Sequence, residues 1–325
     1  MLLFVRDGQS QGKIDGEMFF DYYAILKHHT QDLEGRHGFW VRRIYFTYSH
    51  DLSTNFKMRF RLEMASPGDF SSSDKLVPLV KDAYLSYEIE SYTIMFGIIA
   101  TPTWTDLENF WGYRCVEKTP LDLQGFGSSR DLGITLKGSF TSSKTVDYWI
   151  MYGDGASIHR EPDNGKKGYA LIRIKPMRGL FFDLYGDYEH QKDNKIYSVY
   201  QGFIGYEWPW GRLGVQCARR IFRQNDDRKD WTVFSAFSVA KWGSAIELVL
   251  RYDKMFDANP KGGNIPYIPF SDIAPSNLLI GAFNWKVQKN IWLIPNIKYV
   301  FYDTPPGREK PSEDVYLNLT VFFRY

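Results

Sequence analysis

The chain has 325 residues, a net charge of only +2 and 17% aromatic residues, with 22 Tyr, 24 Phe and 10 Trp. Charge this balanced does not point to nucleic acid, and two cysteines without CxxC or Cys/His zinc spacing make metal an unfavoured expectation. No stretch approaches the roughly 18 apolar residues of a membrane helix. A β-barrel remains open, because lipid-facing and lumen-facing residues alternate and cancel in the mean hydropathy of -0.37.

In chain order, residues 1–14 read as a lead segment. Leu2 to Val5 precede Arg6, too short a run for a secretory h-region of about 7 to 15 residues, so export implies a signal already removed or an internal start. Period-2 runs bounded by turn residues then predict about sixteen strands. They cover 15–26, 38–50, 55–64, 79–89, 92–100, 130–140, 146–152, 168–176, 179–188, 196–208, 211–222, 230–241, 244–256, 277–287, 291–302 and 315–325. The links between them alternate in length. DLST, ES, TSSKT, Met177–Arg178, PWG, KWGS and QKN are short, and the links between are longer and polar, including EHQKDNK, RQNDDRK and 257–276.

Alternating tight turns and long loops are what an up-and-down barrel in an outer membrane produces. A propeller would show a blade repeat, and a soluble sandwich has no reason to gather its long loops at one end. NFKMRFRLEM places Phe56, Met58, Phe60, Leu62 and Met64 on one face and Lys57, Arg59, Arg61 and Glu63 on the other. Four charges on one strand face need water beside them, and a wet lumen supplies it. SAIELVLRYD behaves alike, with Ile246, Leu248, Leu250 and Tyr252 opposite Glu247, Arg251 and Asp253. Segments 92–100 and 291–302 are apolar on both faces, as expected beneath an inserted loop or at a subunit contact. The last eleven residues, VYLNLTVFFRY, alternate to the final residue, so this strand is expected to pair with the first and close the barrel, leaving no open edge in hydrocarbon. Tyr325 then belongs to the interfacial aromatic girdle.

GFWVRRIYFTY (38–48), VKDAYLSYEI (80–89), FGIIATPTW (96–104), SSRDLGITLKG (128–138) and YGDG (152–155) followed by GYALIRI from 168 resemble the phosphate-selective porin O and P family of Gram-negative outer membranes. The resemblance lies mostly in the first half. It implies a single 16-stranded transmembrane barrel domain over 1–325, three of which associate as a homotrimer, with the third long extracellular loop folded into the lumen. Segment 101–129 holds that loop's place. It carries Asp106, Glu108, Glu117 and Asp122 against Arg114 and Lys118, more acidic than the basic constriction of phosphate-selective members, so architecture and pore function carry over and the substrate does not.

The expected function is passive diffusion of small hydrophilic solutes or ions through a bacterial outer membrane, without cofactor or enzymatic activity. The pore chemistry expected is a basic wall of Arg43, Lys57, Arg59, Arg61, Arg173 and Lys175 facing the loop acids, because opposed charges across a narrow aqueous passage filter solutes. On a regular second strand Arg43 faces inward and Arg42 snorkels to the interface. Cys217 falls on the lipid face and Cys115 in the loop, so both should be free thiols. His28, His29 and His37 cluster in the first long link and read as solvated loop residues, with a metal-binding or surface role as the alternative, since no pattern of orienting acids accompanies them. Asp154-Gly155 and Asn164-Gly165 read as turns. GxSxG, HExxH and P-loop motifs are missing from the sequence. Two other readings stay open: a barrel serving as sleeve or anchor for a partner protein, and an outer-membrane hydrolase.

Overall fold

The computed structural model describes residues 12–70, 75–159, 161 and 164–325; most of the lead segment lies outside these. Sixteen antiparallel strands close into one barrel. They are β1 (Lys13–Lys27), β2 (His37–Asp51), β3 (Phe56–Ala65), β4 (Val77–Ile89), β5 (Tyr92–Ala100), β6 (Arg130–Ser139), β7 (Val146–Gly153) and β8 (Lys166–Met177). The second half comprises β9 (Leu180–Gln191), β10 (Lys195–Trp208), β11 (Gly211–Gln224), β12 (Asp227–Trp242), β13 (Ile246–Met255), β14 (Ser276–Gln288), β15 (Ile291–Tyr302) and β16 (Asp314–Arg324). Each pairs with its sequence neighbours, and β16 pairs with β1 from Glu17↔Arg324 to Lys27↔Val315. Every backbone ladder thus finds a partner, as hydrocarbon requires.

The closing seam is built as the alternation demands. Leu317, Leu319 and Tyr325 are exposed outside, while Tyr316, Thr320 and Phe322 are buried inside. Tyr325 and Gly16 exchange backbone hydrogen bonds of 3.0 and 3.1 Å. A Cβ on Gly16 would lie 2.3 Å from the Tyr45 carbonyl, so only glycine admits the Tyr325 ring here. The outer surface carries an exposed apolar band that includes Phe96, Ile150, Leu184, Leu248 and Leu250, with Phe140, Trp210 and Trp242 at the short-link end. An apolar surface this continuous belongs against lipid, not water.

Two of the expected long links are tight. β9 and β10 run to within Lys192–Asn194, and β11 and β12 to within 225–226, because polar residues of EHQKDNK and RQNDDRK extend the ladders as paired hairpins. The link between β13 and β14 is long, but it does not stand clear of the barrel. Ile268 and Phe270 are buried in the interior cluster with Tyr302 and Tyr316, and Tyr267 N donates to Gly68 O at 2.9 Å. Of the expected turns, Gly155 has φ +77 and Asn164 φ +62.

The second strand corrects the expectation for Arg42. Phe19 pairs with Arg43 but Phe20 with Val41, so Arg42 is the extra residue of a β-bulge. A bulge resets the period-2 alternation, and both arginines turn inward. Arg42 is buried, with Nη1 2.8 Å from Asp21. The same device recurs on β4, where Arg61 pairs with Asp82 and Leu62 with Val80. Lys81 is the extra residue, and Lys81 and Asp82 both enter the lumen.

Candidate functional site: the inserted loop and the lumen wall

Segment 101–129 crosses the barrel interior. It contains two short helices, α1 (Trp104–Trp111) and α2 (Pro120–Leu123). Thr103, at φ +74, turns the chain into α1 while its hydroxyl accepts a 2.6 Å hydrogen bond from Gln201 on β10. Such strain in a non-glycine residue persists only where the surroundings fix it. Gly112, also at φ +74, ends the helix, and a Cβ there would meet Arg212 Nη2 at 2.5 Å. The bare glycine lets that guanidinium donate to Trp111 O at 3.0 Å.

Further along, the loop is fastened to the opposite wall. Tyr113 OH donates to Glu247 and receives from Asn284 at 3.0 Å. Arg251 donates to Lys118 O at 2.6 Å. Glu117, almost fully buried, sits 2.6 Å from Lys298 on β15 and 3.7 Å from Arg42 on β2. Burial alone would raise the Glu117 carboxyl, but Lys298 and Arg42 outweigh it and hold the group well below the ordinary carboxylate range. Apolar packing completes the anchorage. Trp111 and Val116 join the cluster with Val249, Ile294 and Val300, while Trp104 and Leu121 pack with Ile99, Met95 and Tyr185. The two-sided apolarity of β5 and β15 therefore reflects the loop lying on their inner faces. Cys115 is free and buried in the loop, with its thiol pushed up to about 12 by burial; Cys217 is free and exposed on the outer face.

With the loop packed against much of the inner wall, partly exposed charged side chains remain along β2, β3 and β4 and on the loop edge opposite, with Arg130 of β6 buried beside them. Arg59 and Arg61 lie 3.2 and 3.7 Å from Asp82, and Arg130 also pairs with it. Arg43 and Lys81 each hold Glu63 at 3.1 Å. Five cations therefore share two acids. On the loop edge, Arg114 is 3.3 Å from Glu108 and 3.7 Å from Asp122, and the fields of Lys81 and Arg43 reach Asp122.

The remaining sequence-derived residues spread along the passage. Arg173 bridges Asp183 at 2.7 Å and the loop's Asp106 at 3.4 Å. Lys175 pairs with Asp147 and Lys57 with Glu88, both at 2.5 Å. A cavity of about 580 Å³ opens at the short-link end between Glu88, Asp147, Asp106 and Arg173. Of the six wall cations, Arg173 is the one with an ion pair to a loop acid; the others pair with acids of the wall itself. Lys118 meets the wall through its carbonyl. Sequence reading missed Arg42, Lys81, Asp82, Arg130 and Lys298. The first three stand at bulges, and the doublets Arg42-Arg43 and Lys81-Asp82 were the available signal, since two consecutive charges cannot both avoid lipid on a regular strand.

The histidines also differ from expectation. His37 is exposed, but His28 is buried and His29 packs against the buried Asp314. The partner acid lies 285 residues away, beyond any local pattern.

No protein-family model and no curated protein matches the chain. Solved structures do. The anion-selective porin from Comamonas acidovorans superposes with a TM-score of 0.74 at 12% identity, covering 98% of this chain and 100% of that one. The outer-membrane channel DcaP of Acinetobacter baumannii gives 0.68 at 12% identity, with 99% of each chain covered. The trimer form of OmpT of Vibrio cholerae gives 0.63 at 11% identity, covering 97% and 99%. The chain thus has the fold of porin-type outer-membrane channels. That likeness is to the class, and the phosphate-selective O and P family is not singled out within it.

Proposed function

We propose that this protein is an outer-membrane porin that passes small hydrophilic solutes by diffusion, and that its constriction favours anions. The observation carrying the reading is the wall between β2 and β6, where Arg43, Arg59, Arg61, Lys81 and Arg130 pair, among the described residues of that wall, with Glu63 and Asp82. An excess of fixed positive charge in a narrow passage raises the local concentration of anions and lowers that of cations. The loop edge supplies the counter-field through Glu108 and Asp122, each partly neutralised by Arg114, while Lys118 offsets Asp122 further. Arg173, Lys175 and Lys57 line the approach from the short-link end. Three copies associate, as the family resemblance implies and as the trimeric Vibrio cholerae structure illustrates for its own chain.

Single-channel recording in planar bilayers tests this directly. Purified protein should give stepwise ohmic conductance, with a reversal potential in a salt gradient on the anion side. Replacing Arg59 and Arg61 with glutamine should move that potential toward cations. A silent barrel would instead favour the sleeve or anchor, and an unchanged potential would remove both arginines from the filter.

A further inference from the structure

We infer that the long-loop end of the closing seam carries a divalent transition-metal site formed by His28, His29 and Asp314. His28 and His29 follow directly on β1, Asp314 opens β16, and Tyr302 ends the neighbouring β15. One ring nitrogen from each histidine and one carboxylate oxygen lie within 4.8 Å of one another, the one such trio of His, Cys, Asp or Glu among the described residues. Two imidazoles and a carboxylate are a ligand set suited to Zn²⁺, with metal–ligand bonds of about 2.0–2.2 Å. Small side-chain movements would draw the three atoms onto one ion.

Two further observations point to a missing cation. Asp314 is fully buried; it accepts a 2.6 Å hydrogen bond from His29 N, and among the described residues its ion pairing is with His29 alone, at 2.9 Å. Elsewhere inside the barrel, Asp21, Glu63, Asp82, Glu117 and Asp183 each meet an arginine or lysine, while Asp131 instead accepts hydrogen bonds from Tyr169 OH and Gly155 N, both at 2.8 Å. A buried carboxylate without a permanent counter-charge is costly, and a divalent ion would provide one. The second is His28 Nε2, which is buried, faces the Pro269 carbonyl and has no well-aligned hydrogen bond among the described residues. His28 Nδ1 stands 3.2 Å from Thr30 O. Nδ1 also accepts a 2.8 Å hydrogen bond from Thr30 N, which leaves the ring proton on Nε2, so a metal ion bound at Nε2 would displace that proton. Tyr302 OH, 2.5 Å from Asp314 Oδ2 and 3.2 Å from His29 Nδ1, steadies the carboxylate. His29 borders a cavity of about 510 Å³ that also reaches Asp32, Arg36 and Pro269, giving an ion a way in.

The test uses the full-length protein, folded in detergent and stripped with chelator, and titrates Zn²⁺ by calorimetry. One equivalent should bind per chain, the unfolding temperature should rise with Zn²⁺, and Co²⁺ in its place should give visible ligand-field absorption. His29→Ala should weaken binding by about tenfold or more, and His28→Ala/His29→Ala should abolish both the equivalent and the Co²⁺ bands. Strand content by circular dichroism shows that each variant is folded. Should a variant fail to fold, the wild-type Co²⁺ spectrum decides alone. Binding of equal stoichiometry in the double variant, or wild-type protein with neither uptake nor ligand-field bands, would overturn the site.

Discussion

The inner surface divides into two regions made from the same alternating strands. Along β12 to β16 the inward residues include Val239, Val249, Ile280, Ile294 and Val300, buried in one cluster with Trp111, Val116 and Phe270, and the polar ones among them, Arg251, Asn284 and Lys298, are buried against the loop as well. Along β2 to β4 Arg43, Arg59, Arg61 and Lys81 are charged and partly exposed over the buried Glu63 and Asp82. The first region behaves as a protein core, where two inserted segments cover apolar side chains. The second behaves as a solvated surface that happens to curve inward. A porin-type barrel therefore obtains a narrow passage by filling one side with its own chain, and chemical character is concentrated on the side left open.

Substitutions can break this contrast, and their expected effects descend from the filled side to the open one. Glu117→Ala should act most strongly, because it leaves Lys298 and Arg42 buried without their shared acid; loss of one partner of a buried pair costs about 3–5 kcal/mol. Thermal unfolding in detergent measures this. The same carboxyl predicts a pH effect. Its folded pKa is depressed, so its stabilisation is complete above the unfolded value near 4.5 and is lost as pH falls below that toward the folded value. Wild type should lose stability on acidification, and Glu117→Gln should lose less.

Trp111→Ala should come close behind, at about 3–5 kcal/mol for a fully buried tryptophan, and it adds a readout on the pore. Trp111 packs against Tyr113 and Phe237 and lies beneath Arg251. Without it the loop should loosen and open-channel current should become noisier; a quiet, unchanged current would show that polar contacts alone hold the loop.

On the open side, Arg59→Gln should cost less than about 1 kcal/mol, because Arg59 is partly exposed and the buried Asp82 keeps Arg61 and Arg130 as partners, while altering ion preference. Stability and selectivity should thus separate between the two regions. Smallest of all is Leu250→Val on the lipid face, where unfolding and conductance should both stay within about 0.5 kcal/mol and experimental scatter of wild type.

The strands were legible because each carries its own two-sided pattern. Met58, Phe60 and Leu62 against Arg59 and Arg61 suffice to place β3 without any tertiary information. The tight hairpins at Lys192–Asn194 and 225–226 were not legible, since polar residues that extend a ladder beyond the bilayer resemble loop residues. The site was half legible. Single charges on regular strands, such as Arg61 and Arg173, followed from alternation. Arg42 and Lys81 did not, because a bulge exchanges inside for outside at one residue. Glu117 was recognisable as a loop acid, but not as the buried partner of Lys298, which is brought to it from 181 residues away.

The seam between β1 and β16 also constrains how the molecule comes into being. Met18 must find Phe323, so the most distant parts of the polypeptide meet in the one step that protects every edge. Contacts of such sequence separation are slow to form. Until the last strand arrives, two raw ladders are available to any passing chain, and successful biogenesis becomes a race between ring closure and aggregation.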